Sequence, residues 1–293
     1  MQPRCGRIDV NQATATRLDG LMARARQGWC VMGVLNVTPD SFSDGGRFDA
    51  VEAAVVRGEA LAREGAAIVD IGGESTRPGF TPVPAEDEWR RIGPVIASLA
   101  QHLAVPLSVD TGKAEVARRA VHAGAAVVND IWGFQGDPLM AEIVAAADAG
   151  AVLMHNRRDA DPGIDIVDDM MRFFETSLDL ADGAGVARDR LVLDPGIGFG
   201  KTPDQEVKAV RAVAALRRVF GLPVLVGLSR KRFLGRITGA PVERRGIETV
   251  AANLAAAAAG AAIFRVHDVA DHVAALAVFG AIRGEAAAAE TGP

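Results

Sequence analysis

Short runs of Val, Ile and Leu recur along the chain, each followed by a stretch of helical length. The runs are VMGVLN (31–36), AIVDIG (67–72), PLSVD (106–110), AVVND (126–130), AVLMH (151–155), LVLD (191–194), PVLVG (223–227) and AIFRV (262–266). Between them, stretches such as VEAAVVRGEALAREG and DHVAALAVFGAIRG carry apolar residues at three- and four-residue spacing, the period of an amphipathic helix. Strict alternation of strand and helix predicts a parallel sheet. Eight such units, with strands apolar throughout rather than alternating, predict an α/β fold of the closed (β/α)8 TIM-barrel type. A doubly wound open sheet is the alternative. Residues 1–30 precede the first strand and are expected to cap the barrel floor. Residues 31–284 form the barrel as a single domain, and the tail 285–293, EAAAAETGP, is expected to fray. The stretch AANLAAAAAGAAIF (251–264) resembles a membrane segment but is too short for one. It is expected to be a buried helix running into a strand.

Composition narrows the functional classes. The chain has 293 residues, is 49% hydrophobic and carries a net charge of −5, so it can bury a large core but offers no basic footprint for nucleic acid or an anionic membrane. Two cysteines, Cys5 and Cys30, make no disulfide framework and fit a reducing cytoplasm. The N-terminal MQPRCGRIDVNQ lacks the apolar core of a signal peptide.

In a barrel of this kind chemistry gathers where strands end and βα loops begin. The strand ends here carry Asn36, Asp110, Asn129, Asp130, His155, Asp194, Ser229, Arg265 and His267. One polar residue at a strand end usually caps a helix or satisfies loop backbone. Eight strands ending this way on one rim would instead line one pocket. Arg77, Arg265 and His267 are donors suited to an anion, and the arginine fork matches phosphate. Asn36 offers a neutral oxygen, a modest ligand for Mg2+. Asp110, Asn129 and Asp194 are acceptors for a donor-rich flat heterocycle, and Lys231 is suited to its carbonyl or ring nitrogen. The loop VTPDSFSDGG (37–46) is built from turn formers, yet holds Phe42 with no core in sight.

Two motifs fall short. PGIGFGKT (195–202) ends as a phosphate-binding loop should, but Pro195 stands where its first glycine is required. Its glycines then serve close backbone approach to a ligand. His155 in HNRRD has no second residue at zinc-ligand spacing.

GVLNVTPDSFSDGG and AAIVDIGGESTRPG resemble the two signature segments of the dihydropteroate synthase family, in the right order after the first and second strands. The resemblance continues through SVDTGK, VVNDI, LMH, DPGIGFGK, GLSRKR and FRVHD, and spans about residues 30–285. It implies a TIM barrel, usually a homodimer, in cytoplasmic folate biosynthesis. The implied reaction joins 6-hydroxymethyl-7,8-dihydropterin diphosphate to 4-aminobenzoate, with Mg2+ as cofactor and sulfonamides as inhibitors. By matching positions, Asp110, Asn129, Ile131, Met154, Asp194, Gly227 and Lys231 resemble the pterin pocket. Asn36, Thr76, Arg77, Arg265 and His267 resemble the diphosphate site, with Asn36 as the metal ligand. Phe42, Thr76, Pro78, Phe199, Ser229 and Lys231 resemble the aminobenzoate side, and Asp110, Lys231 and Arg77 the catalytic set. Bound diphosphate is expected to order the Phe42 loop over the aminobenzoate ring. Three positions depart from the family pattern: Gly112 for the usual Ser, Arg232 for a small residue, and HNRRDADPGIDI (155–166) for a Met-Gly-Pro segment. A pterin-dependent methyltransferase and a catalytically silent pterin-binding paralogue stay open as alternatives.

Overall fold

Eight strands pair in parallel in the order β6-β5-β4-β3-β2-β1-β8-β7 in this computed structural model, which describes residues 8, 10–38, 47–74 and 83–284. The strands are β1 (Cys30–Asn36), β2 (Ile68–Gly72), β3 (Leu107–Asp110), β4 (Val127–Asp130), β5 (Gly150–Met154), β6 (Leu191–Asp194), β7 (Leu225–Val226) and β8 (Ile263–Val266). A parallel bridge between Leu193 and Val224, with Leu193 N donating to Pro223 O at 3.0 Å, joins β6 to the residues before β7 and closes the ring. Closure excludes the open sheet. Strand β7 is shorter than the run 223–227 because Pro223 has no N–H to give the ladder.

Among the described residues, helix α1 (Gln12–Gln27) lies below the ring, and α2 (Arg47–Arg63), α3 (Ala85–His102), α4 (Ala114–His122), α5 (Met140–Ala146), α6 (Ile166–Ala184), α7 (Pro203–Arg211), α8 (Val213–Phe220), α9 (Arg232–Thr238), α10 (Gly246–Ala258) and α11 (Val269–Arg283) surround it. Their ends follow local chemistry. Helix α7 begins on a capping box of Thr202 and Gln205 with Pro203 at its first position. Helix α6 starts on Asp165, whose carboxylate accepts from Val167 N and Asp168 N, and stops on Gly185 at φ 85°.

The core divides by strand parity. Val69, Ile71, Val109, Val128, Leu153, Leu193, Val226 and Phe264 point outward and pack under the helices. Met32, Ile68, Val127, Val152, Val192, Leu225 and Ile263 form a second cluster inside the ring, and Leu18, Leu21, Met22 and Ala25 of α1 join it from below. Each such buried aliphatic side chain contributes about 1.5–3 kcal/mol. Both faces of every strand are therefore buried, which is why the strands read as unbroken apolar runs. Continuing the inward parity toward the strand ends reaches Asn36, Asp70, Asp110, Asn129, Met154, Asp194 and Arg265.

One expectation needs correction. Helix α10 is not buried all round: Thr249, Asn253, Ala256 and Ala257 face inward, while Ile247 is 85% exposed. Its alanines leave one face free of bulk, so burial on that face is not required for the helix to form. No described helix is long and apolar enough to cross a membrane.

Candidate active site

The polar inward residues meet at the end of the ring where the strands finish. Arg265 on β8 lies between two carboxylates: its Nε donates to Asp70 Oδ2 at 2.7 Å and an outer nitrogen to Asp110 Oδ2 at 2.6 Å. Asn129 Nδ2 also donates to Asp70 Oδ2, at 3.1 Å. Burial opposes the charge on Arg265, but Asp70 and Asp110 more than offset this and hold it above the ordinary arginine range. Burial pushes Asp110 up to about 7, with Arg265 opposing and Asp70 reinforcing the rise. Its Oδ1 is buried with no hydrogen-bond partner. An acceptor left so in a polar site is costly unless a ligand pairs it.

Asp194 ends β6 opposite Met154 of β5. Its Oδ1 accepts from Gly196 N at 2.7 Å, and burial raises its pKa. Lys231 stands with its ammonium 4.5 Å from the centroid of the Phe199 ring, and burial beside Arg265 lowers it to about 8. Gly227 faces open space: a Cβ there would meet no atom within 4 Å. Ile131 is half-buried beside Gly112. Ser229 Oγ pairs with His267 Nδ1 at 2.8 Å, which orients that imidazole. Asn36 ends β1 beside Gly72, at an inward register position. Among the described residues no cluster of three His, Cys, Asp or Glu is arranged to hold a metal ion. This donor set fits Mg2+ only as an ion held mainly by phosphate oxygens and water, the coordination Mg2+ favours. Phe42, Thr76, Arg77 and Pro78 lie outside the described residues.

The wall between β5 and β6 has its own brace. Lys201 is buried, and its ammonium meets His155 Nδ1 at 2.8 Å, Gly196 O at 2.8 Å and Phe199 O at 3.1 Å. His155 Nε2 in turn meets Asp169 Oδ2 at 3.1 Å, and Arg157 donates to both oxygens of Asp169. Burial and the neighbouring Lys201 pull His155 down to about 3, so the ring is neutral, accepting from lysine and donating to aspartate. Lys201 thus ties down the glycine turn rather than reaching a phosphate. Asp130 is likewise a brace, accepting from Trp132 N and Phe134 N at 2.9 and 2.7 Å.

A model of the family described as pterin binding enzyme matches residues 32–267. The chain belongs to the dihydropteroate synthase family. The synthase of Bacillus subtilis is 43% identical over 262 residues, which cover 89% of this chain and 90% of that protein. Among solved structures, the Xanthomonas albilineans dihydropteroate synthase with 4-aminobenzoic acid superposes with a TM-score of 0.85 at 48% identity, over 89% of this chain and 95% of that one. The Yersinia pestis synthase in a sulfonamide drug complex gives a TM-score of 0.81 at 41% identity, over 88% and 94%.

Sequence reasoning missed two parts of this dihydropteroate synthase site. Asp70 passed as one residue of the apolar run AIVDIG, although a carboxylate inside a doubly buried strand must have a partner. Lys201 was read only against the phosphate-loop pattern. At Gly112, the departure from the family's Ser, a Cβ would sit 3.1 Å from the Trp132 ring, a tight contact that a small shift of that half-buried ring would relieve.

Two outcomes follow from this geometry. Gly196 (φ 63°) and Gly221 (φ 69°) share a left-handed conformation, but a Cβ at Gly196 would run into the carbonyl oxygen of His155, whereas at Gly221 it meets nothing within 4 Å. Gly221→Ala should cost about 1–2 kcal/mol of stability in denaturant titration. Gly196→Ala should cost more and also weaken pterin binding; equal effects would show that the turn is not clamped. The second outcome concerns pH. If a pterin N–H pairs with Asp110, it pairs with the ionised form, and burial holds that carboxyl near 7. Below that value the carboxyl holds a proton that binding must displace, so pterin affinity should fall as pH drops from about 7.5 to 5.5, approaching tenfold per unit. Calorimetry with 6-hydroxymethylpterin in buffers of different ionisation enthalpy reads both affinity and proton release. Pterin affinity that is flat with pH would sink this assignment.

Proposed function

We propose that this chain condenses (7,8-dihydropterin-6-yl)methyl diphosphate with 4-aminobenzoate, giving 7,8-dihydropteroate and diphosphate, as a transferase of folate biosynthesis. The observation that carries the reading is the unpaired, buried Oδ1 of Asp110 in a mouth shared with Asp194, Asn129, Lys231 and Arg265. A pterin has the complementary edge: amino and ring N–H donors beside a carbonyl. Asp110, Asn129 and Asp194 take the donors, Lys231 faces the carbonyl or a ring nitrogen, and Met154, Ile131 and Gly227 bound the ring plane.

In this reading the bond between the pterin methylene and the diphosphate oxygen breaks first. Positive charge spreads from the methylene into the pterin, where Asp110 and Asp194 stabilise it from a low-dielectric wall. Arg265 and His267, with Thr76 and Arg77 by sequence resemblance, receive the departing diphosphate. Asn36, together with phosphate oxygens, would hold Mg2+, which when bound would supply further positive charge against the leaving group. The amine of 4-aminobenzoate then forms the new C–N bond and loses a proton. Ser229, Lys231 and Phe199, with Phe42, Thr76 and Pro78 by resemblance, hold that second substrate, and sulfonamides that mimic it compete there. Asp110, Lys231 and Arg77 are the residues to which we assign catalysis. The reaction belongs in the cytoplasm, a compartment suited to the buried thiol of Cys30.

Multiple-turnover release of diphosphate should require both substrates, because without the amine the cleaved pair stays on the enzyme and can recombine, and Asp194→Ala should weaken the pterin by about 2–5 kcal/mol, because it leaves ring donors unpaired in a dry site. Release that ignores aminobenzoate, or near wild-type pterin affinity in the variant, would refute the reading. We also propose a homodimer through α9–α11, where Ile237, Ile247, Val278 and Ile282 are 69%, 85%, 61% and 81% exposed. Exposed aliphatic side chains on neighbouring helices, as here on α10 with α9 and α11 packed beside it, mark interfaces. Sedimentation should show a dimer that Ile247→Glu with Ile282→Glu converts to monomer; a wild-type monomer at micromolar concentration would overturn this proposal.

A further inference from the structure

Asp70 has no place in the chemistry described above, yet it is fully buried in the middle of β2. A hydrophobic residue there would avoid the desolvation of a carboxylate, and isolated buried ion pairs are often replaced by apolar residues at no loss of stability. What distinguishes Asp70 is the use of a single atom. Its Oδ2 accepts from both Asn129 Nδ2 and Arg265 Nε, at 3.1 and 2.7 Å, while its Oδ1 is buried with no partner. An ionised carboxylate can only accept, so it dictates which end of the Asn129 amide turns toward it. The NH2 end is committed, and the carbonyl Oδ1 is left for the ligand. The same atom fixes the Nε edge of Arg265, while one outer nitrogen of the guanidinium donates to Asp110. Two donors from β4 and β8 are thereby set by one acceptor on β2.

We propose that Asp70 is a positioning residue for pterin recognition: through one carboxylate oxygen it fixes the Asn129 amide as an acceptor toward the pterin and holds Arg265 in line with Asp110. The proposal rests on the pterin reading of the site and adds a residue that never touches the ligand. It makes the donor–acceptor polarity of the pocket a property of a third strand. Without Asp70 the amide can present either end, and Arg265 can swing toward Asp110 alone.

The test is a double-mutant cycle in full-length protein, with 6-hydroxymethylpterin as the probe, Kd by calorimetry and thermal melting alongside. Asp70→Ala should raise Kd roughly 10- to 100-fold, the loss that follows when a buried donor is left without its partner. In an Asn129→Ala background the same change should cost much less, because the amide through which Asp70 acts is gone. Asp70→Asn keeps an oxygen at the Oδ2 position and should recover most of the affinity. It also leaves Arg265 to Asp110 alone, so the pH dependence of binding should move to lower pH. Equal losses from Asp70→Ala with and without Asn129, or no recovery in Asp70→Asn when that variant melts like wild type, would overturn the positioning role. Wild-type protein that does not bind the pterin would instead overturn the functional reading itself. Wild-type-like binding by Asp70→Ala would overturn only the role of Asp70.

Discussion

Side chains alternate in and out along each strand of the ring, and the candidate site depends on that parity. Asp110, Asn129, Asp194 and Arg265 share the inward set with the apolar lumen cluster, while their immediate neighbours Val109, Val128, Leu193 and Phe264 pack under helices. A slip of one residue in any strand would carry its polar residue into the helix layer and bring an aliphatic one to the mouth. The cost would be doubled, since an unpaired charge would then be buried outside the ring. Core packing on both faces thus enforces the register that functional geometry needs. The α1 plug beneath the lumen adds to this by filling the floor, so that the polar layer above it is closed from below and open only at the strand ends.

Charge balance in that layer explains why it is a binding site rather than a set of salt bridges. Asp70 and Asp110 share one guanidinium, so the cluster carries more acceptor capacity than its own donors fill. The consequence at the mouth is the buried Oδ1 of Asp110, which has no partner, and the upward displacement of that carboxyl. A protein that only needed stability would replace such a group by an aliphatic one. A ligand bearing several N–H groups on a flat ring supplies the missing donors, and its binding is stronger for the low dielectric around them.

Much of this was legible before the structure. The eight apolar runs gave strand positions to within a residue or two for most of the ring, because burial on both faces removes alternation and leaves a simple signal. The polar residues at strand ends were legible for the same reason, standing out where apolar runs stop. Asp70 was not, because it sits two residues inside its run, where position alone marks it as core. Its partner Arg265 is 195 residues away, and only ring closure brings them together. The role of Lys201 is hidden for a related reason: Pro195 removes the phosphate-loop reading of GFGKT, and nothing local reveals that His155, 46 residues earlier, waits beneath the lysine. Residue-level roles that depend on pairing between distant strands are set by topology, not by local composition.

The departures at Gly112 and in the β5 loop show how such a site tolerates change at its edges. Gly112 leaves room for Trp132, whose backbone is in turn held by Asp130 at the end of β4. The segment after His155 brings Arg157, which grips Asp169 and packs its backbone against Gly200, where a Cβ would collide with it. The first loop is anchored on Asp130 at the end of β4, the second on Asp169 of α6, which also pairs with His155 just beyond β5. The loop above each anchor is free to vary, because the anchor and the strand parity, not the loop, fix the inward side chains. The three carboxylates, the amide and the two cations of the mouth therefore keep one geometry while the rim changes around them. Arg232, exposed at the rim directly after Lys231, lies outside this set.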